Sequence, residues 1–245
     1  MACDYYYAVS AVHGSMPLFR LYSWIKPTIS LGFHQKLEDI DIEKCAKEGV
    51  DLVRRPTGGR AILHWGEITY CLVYPVEAKE KKAALKKIYR LTHSAIAEAL
   101  ISQGADLSLS GGKMKPLGKH NPLCFASAAG SELEWKGRKV VGSAQRLFEN
   151  AVLQHGSIVL TSDHLKLPQY LNVSEEERAF LYDKLKLSSS SIPLDDTSEL
   201  RQSLVKSVSK VFNAESVKIG LLREEEEQIG RHCATFKLEK EEGLQ

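Results

Sequence analysis

Cys124 sits in the stretch "KHNPLCFASAAGS", and fifteen residues later Lys139 leads into Val-Val-Gly-Ser-Ala. A cysteine beside Lys119 and His120 is well placed to be a thiolate, because nearby positive charge lowers a thiol pKa from about 8.5. A lone strand lysine is usually a solvated edge charge. Lys139, however, precedes Gly142, Ser143 and Ala144, and small residues let a ligand lie close to the backbone. Upstream, "RRPTGGRAILH" groups Arg54, Arg55 and Arg60 with Thr57, Gly58 and Gly59 and closes on His64. Glycine amides can approach an oxyanion or phosphate, and arginines add forked donors. A surface connection with solvated arginines is the plain alternative. "QHGSIVL" contributes His155 and Gly156; a lone histidine there is more often a hydrogen-bonded structural residue than a catalyst. Cys3, Cys45, Cys71 and Cys233 fall in terminal, helical, strand and helical patterns and read as packing residues or incidental thiols.

These residues need a scaffold, and the pattern supplies one. "LFRLYSWIKPTISLGFHQ" reads as two strands broken at Lys26-Pro27. "DIEKCAKEGVDLVRRP" reads as a short helix, a stop at Gly49 and a strand. "RAILHWGEITYCLVYP" reads as a hairpin turning near Trp65-Gly66, its second strand running from Ile68 to Tyr74. Over 79–103, Leu85, Ile88, Leu91, Ala95, Ala99 and Leu100 recur at mostly three- and four-residue spacing before Gly104, as in an amphipathic helix with a glycine stop. "SELEWKGRKVVGSAQR" reads as strand, Lys136-Gly137 turn and strand, and 151–160 as a further strand. Helices are expected at 174–185, where Ser174 and Glu177 have capping-box spacing, at 198–212 and over "LREEEEQIGRHCATF". "LSSSSIPLDD" (187–196) is the candidate flexible joint. The fold class is α+β: a mainly antiparallel sheet flanked by helices.

The 245 residues carry a net charge of +2, with 43% hydrophobic and 26% charged residues. That balance fits a globular chain and does not argue for nucleic acid. No apolar run is long enough for a bilayer, and no secretory signal opens the chain. Five scattered cysteines without a Cys-x-x-Cys pair argue against a disulfide framework or a zinc site, so no metal is expected and a reducing cytoplasm is the simplest compartment.

Taken in order, "LFRLYSWIKPTISLGFHQ", "RRPTGGRAILHWGEITYCLVYP", "GRKVVGSAQR" and "VLQHGSIVL" resemble the lipoate–protein ligase and octanoyltransferase family, whose catalytic fold is related to that of biotin protein ligases. The resemblance spans roughly 18–165. It implies a catalytic core over 1–165, with a helical part over 166–245 packed on the same domain. The position of Cys124 ahead of the lysine motif resembles the cysteine-dependent octanoyltransferases of the Gram-positive bacterial type. A second branch places its cysteine after the His-Gly strand, and residues 157–232 contain none. Two departures stand out: Tyr5 follows Asp4 where the family has an Asp-Glu pair, and Trp65 follows His64 where an acidic residue is usual.

The resemblance implies a reaction. Cys124 attacks an octanoyl thioester and holds the acyl group. A lysine of the acceptor then takes it, with Lys139 favouring the thiolate and receiving the incoming amine's proton. Thr57, His64, His155, Gly156 and the glycine-rich segments Gly58-Gly59 and Gly142–Ala144 join the substrate site, with backbone amides offered to the oxyanion. Arg54, Arg55 and Arg60 suit a pantetheine phosphate or an acidic carrier face. The implied donor is octanoyl-acyl carrier protein. The acceptor is an apo lipoyl domain or glycine cleavage H protein. No cofactor is needed, nor any nucleic acid or membrane partner. Three alternatives remain: an ATP- and magnesium-dependent lipoate–protein ligase, an amidotransferase between lipoyl domains, and a non-catalytic carrier-binding module.

Overall fold

The computed structural model describes residues 1–12, 14–109, 133–194 and 196–238; Cys124 lies outside them. In chain order the elements are α1 (Ala2–Ser10), β1 (Leu18–Tyr22), β2 (Thr28–Leu31), α2 (Ile42–Lys47), β3 (Asp51–Arg54), β4 (Ile62–His64), β5 (Glu67–Pro75), α3 (Lys81–Ser102), β6 (Leu107–Leu109), β7 (Leu133–Trp135), β8 (Arg138–Lys139), β9 (Val141–Leu147), β10 (Ala151–Val159), α4 (Glu175–Ser188), α5 (Thr197–Phe212) and α6 (Arg223–Phe236). The main sheet is antiparallel, in the order β1-β5-β10-β9; β3-β2-β4 and β6-β7-β8 form two smaller sheets. The α+β expectation therefore holds, the parallel β2–β3 pair apart.

Strand alternation sorts the main sheet into two faces. Ile68, Tyr70, Val141 and Ile158 look toward α3 and α5, packing with Ile96, Ala99, Leu100, Leu200 and Leu204. On the other face Cys71, Val73, Ala151 and Leu153 meet Ala8 and Ala11 from and just beyond α1. The strand β5 is buried throughout from Glu67 to Val73, because β1 and β10 flank it and both faces are covered. A third core joins the β3-β2-β4 sheet to α2, the 3-10 segment Ser162–Tyr170 and α4.

Three expectations need correction. The stretch 60–75 is not a hairpin: β4 pairs with β2, while both edges of β5 are occupied by β1 and β10. At Gly66 (φ 63) the chain crosses between sheets, and the Gly66 carbonyl accepts from the amides of Leu160 and Thr161. The stretch 138–147 is not one strand. The Lys136-Gly137 turn forms as expected, with both residues at positive φ. Val140 then donates to Leu133 of β7 while its carbonyl accepts from Val159, which steps the chain into the main sheet. Lys139 sits at that step and is only 7% exposed, not a solvated edge charge.

The third correction concerns 187–196, which is no joint. Ser190 donates to the Lys139 carbonyl, Ile192 donates to the Val159 carbonyl, and the Ile192 side chain is buried in the α3–α5 core. The C-terminal helices also return to the start of the chain. Tyr5 packs against His232 and Phe236 of α6, and Leu238 donates to Leu52 of β3. Ile192→Ala should lower unfolding free energy by roughly 2–5 kcal/mol, the usual loss for truncating a buried aliphatic side chain. Urea denaturation measures it; a change within about 0.5 kcal/mol, typical of surface sites, would restore the flexible-joint reading.

Candidate active site

Two buried carboxylates organise the space between the main sheet and the elements packed on it. Glu67 opens β5, and its Oε1 receives Thr69 Oγ1 at 2.6 Å, Ser157 Oγ at 2.8 Å and His64 Nδ1 at 2.8 Å. A carboxylate only accepts, so the proton of His64 belongs on Nδ1. Its Nε2 then accepts from Ser30 Oγ, 2.6 Å away. Trp24 stacks on the His64 ring with centroids 4.5 Å apart and donates to Thr69 at 2.8 Å. Asp4 projects from α1. Its Oδ1 meets Arg20 at 2.9 Å, and its Oδ2 meets the Tyr22 hydroxyl at 2.9 Å and His155 Nδ1 at 3.2 Å. By the same logic His155 Nε2 accepts from Thr57 Oγ1 at 2.7 Å. Each histidine thus links a strand hydroxyl or loop hydroxyl to a carboxylate, with its tautomer set by the acid.

Burial and bonding compete at these groups, and bonding wins at the acids. Burial alone would push Asp4 up, but the hydrogen bond from His155 and nearby positive charge, that of the Met1 ammonium and of Arg20, hold its carboxyl well below the usual range. Glu67 follows the same rule: burial raises it, and His64, Thr69 and Ser157 together lower it. At His155 burial dominates and lowers the imidazole despite Asp4, favouring the neutral ring. Burial, reinforced by Asp4, pushes the Tyr22 hydroxyl up and keeps it a donor. The thiols of Cys3, Cys45 and Cys71 are also pushed up by burial, Cys45 to about 11, so these read as packing groups, as expected.

A cavity opens against this network. Of the residues expected at the site, Arg55, His64, Gly142, Ser143, Ala144, His155 and Gly156 line it; Met1, Ile62, Thr69 and Ser157 complete the lining. The β9–β10 register places Gly156 opposite Ser143 and His155 opposite Ala144. A methyl group on Gly156 would collide with the Gly142 carbonyl and press on Tyr70, so the two strands need glycine there. Behind the wall, Ser143 Oγ is held by Tyr70 at 2.6 Å and His93 Nε2 at 2.8 Å.

Arg54, Thr57, Gly58, Gly59, Arg60 and Lys139 do not line this cavity. The arginine–glycine loop is not a solvated surface connection: Arg55, Pro56 and Thr57 are buried. Arg55 reaches the carbonyls of Ser30, Gly58 and Arg60, and Arg54 those of Gly32, Phe33 and Gln35. Of the donors expected to meet a phosphate, those of Arg55 and Nη1 of Arg54 are committed to the backbone of this chain. Sequence reasoning missed Glu67, Ser30, Thr69, Ser157, Trp24 and His93. Glu67, three residues after His64 and at the head of an otherwise apolar run, was the one signal available. Asp4 was noticed only as half of an altered pair.

Residues 1–192 match the lipoyl protein ligase A/B catalytic domain. The chain belongs to that family. The lipoyl ligase catalytic fold is shared at low identity with an archaeal bi-partite lipoate protein ligase from Thermoplasma acidophilum: TM-score 0.76, 20% identity, covering 94% of this chain and 85% of the other. An octanoyltransferase LipM from Carboxydothermus hydrogenoformans is 37% identical over 167 residues, 68% of this chain. That alignment spans 61% of the relative, less than two thirds of its length. An octanoyltransferase LipM from Clostridioides difficile is 34% identical over 226 residues, 87% of this chain and 81% of that one. Against this family, the Tyr5 departure has a structural use, since Tyr5 seats α6. The Trp65 departure leaves His64 with an acidic partner all the same, in Glu67.

The network predicts acid lability. His155 takes up its proton at lower pH in the native chain than in the unfolded one, where the value is about 6.5. Below that pH the unfolded chain binds the extra proton, so stability falls as pH drops. Asp4 and Glu67 are shifted down, so their contribution is full above about pH 4 and is lost as pH falls toward their native values. Calorimetric melting should therefore weaken in two stages, and His155→Asn should flatten the upper one. Asp4→Ala should cost roughly 1–3 kcal/mol at pH 7, because it leaves the buried Tyr22 hydroxyl and His155 Nδ1–H without an acceptor. A melting temperature flat between pH 7 and 4 would overturn this account.

Proposed function

We propose that the protein is an octanoyltransferase. It moves an octanoyl group from the thioester of octanoyl-acyl carrier protein to a lysine of a lipoyl domain or glycine cleavage H protein. The observation that carries this reading is the 34% identity over 226 residues to a protein named octanoyltransferase LipM. The cavity supports it. Its β9–β10 wall is built from Gly142, Ser143, Ala144 and Gly156, which lets an extended acyl chain lie on the backbone. Because β9 is the edge of the main sheet among the described residues, alternate amides along it have no strand partner on the outer side and can serve an oxyanion.

In the proposed chemistry the Cys124 thiolate attacks the thioester carbonyl, the carrier leaves as a thiolate that the Lys139 ammonium protonates, and the acyl group becomes a Cys124 thioester beside a neutral Lys139. The acceptor amine then attacks. A C–N bond forms, the Cys124 C–S bond breaks, and the amine's proton passes to Lys139. The thioester is already activated, so the transfer needs no ATP. His64 and His155 are positioning residues on this account: their carboxylates fix which ring nitrogen carries the proton, and their hydroxyl partners pin β2 and the Thr57 loop against the main sheet.

With octanoyl-acyl carrier protein and apo lipoyl domain, and without ATP, the domain should gain the mass of one octanoyl group. Cys124→Ala should reduce transfer to background with an unchanged melting temperature; near-normal turnover in that folded variant would sink the acyl-enzyme. Lys139→Arg keeps the charge but cannot act as a proton acceptor. Single-turnover kinetics should show the Cys124 adduct still forming while its decay slows by about 10²-fold or more. Wild-type decay would remove Lys139 from proton transfer.

A further inference from the structure

The first ten residues of α3 carry Lys81, Lys82, Lys86, Lys87 and Arg90, and its first turn contains no acidic residue. Cations near a helix N-terminus oppose the macrodipole, and like charges four apart repel. This helix therefore accepts a local loss of stability to hold that charge. Lys82, Lys86, Lys87 and Arg90 are exposed, and no ion pair among the described residues involves them. The charged pairing of α3 lies further along, between Glu98 and Lys210 of α5.

The cations are aligned with the site. Lys82, Lys86, Tyr89 and His93 stand at i, i+4, i+7 and i+11, a spacing that keeps them on one side of a helix. Along that side the residues pass from exposed lysines to half-buried Tyr89 and then to His93, 2% exposed. Tyr89 packs on His93 with ring centroids 4.1 Å apart, and His93 grips Ser143 of the cavity wall. Gln145 of β9 donates to the Leu85 carbonyl, so the basic part of α3 is tied to the edge strand itself.

From this alignment we infer that the Lys82–Lys86–Arg90 side of α3 is the docking surface for the acidic face of the protein that delivers the octanoyl thioester. The inference rests on the octanoyl-transfer reading. Arg55 is not available for this work, because its donors are taken within the chain, and Arg54 Nη1 is bound to the carbonyls of Gly32, Phe33 and Gln35. Reach decides between donor and acceptor. At ~1.5 Å per residue, the centre of the patch is about 10 Å along the helix from His93. A pantetheine arm spans such a distance; the side chain of a single acceptor lysine is too short.

The test compares wild type with the triple variant Lys82→Glu, Lys86→Glu, Arg90→Glu. The donors are octanoyl-acyl carrier protein and octanoyl-pantetheine, which has the arm without the protein. The variant should lose about tenfold or more in kcat/KM with the carrier protein, mostly through KM, and the salt dependence of that step should flatten. Octanoyl-pantetheine should be used as before. Equal losses with both donors, no loss with either, or a raised KM for the lipoyl domain instead would each overturn the docking surface. Titration calorimetry with acyl carrier protein separates the two layers of argument. Binding by wild type that the variant loses, with no turnover in wild type, would keep the surface and sink the transfer reading.

Discussion

Two carboxylates are removed from water at the centre of this protein, and the arrangement around them follows from the need to compensate that loss. An uncompensated buried charge is among the most destabilising features a fold can contain. Asp4 and Glu67 each gather three partners: Arg20 and Tyr22 of β1 and His155 of β10 for one, His64, Thr69 and Ser157 of three different strands for the other. These partners come from β1, β4, β5 and β10, so satisfying the acids also fixes how the main sheet meets α1 and the β3-β2-β4 sheet. The cavity is the space left beside this polar seam. Its histidines each present one ring nitrogen to a carboxylate and the other to a hydroxyl, so their orientation is fixed by the fold itself.

The glycines act on the same space by omission. At Gly156 the absence of a side chain lets the β9 backbone come close and leaves Tyr70 free to hold Ser143. Gly32 does the equivalent for the arginine–glycine loop, where a methyl group would strike the Gly59 carbonyl. Arg55 then holds the loop in place by donating to Ser30, Gly58 and Arg60. The loop's cationic appearance in the sequence and its work in the fold differ for this reason: Arg55 is turned inward onto carbonyl oxygens, while a row of exposed cations near the site stands on α3.

Much of the scaffold was legible because it is encoded locally. The three- and four-residue spacing of α3, the stops at Gly49 and Gly104, and the Lys136-Gly137 turn each depend on residues within a few positions. Partner choice is not local. Nothing between Ala61 and Pro75 states that β4 belongs with β2, since a strand's affinity for a neighbour depends on which edges remain open after the others have paired. The same limit applied to the site. His64, His155, Gly156 and the Gly142–Ala144 run could be picked out as residue types that suit chemistry. Ser30 and Ser157 could not, because a serine becomes distinctive only when an imidazole or carboxylate is brought against it. The serine-rich run before Ile192 misled in the opposite direction: its composition suggests freedom, yet its amides are bound to carbonyls of Lys139 and Val159.

The bond between Asp4 and His155 joins residues separated by 151 positions in the chain. Loops of that size close slowly, and contacts between distant segments accumulate late in folding. During synthesis, Asp4, Arg20 and Tyr22 leave the ribosome long before β10 exists, so until then the carboxylate lacks its histidine partner. The cavity cannot precede β10, because that strand supplies His155, Gly156 and Ser157 and occupies the middle of the main sheet. Assembly of the cavity and completion of the main sheet are therefore one event, and a chain that ends before β10 has no cavity wall.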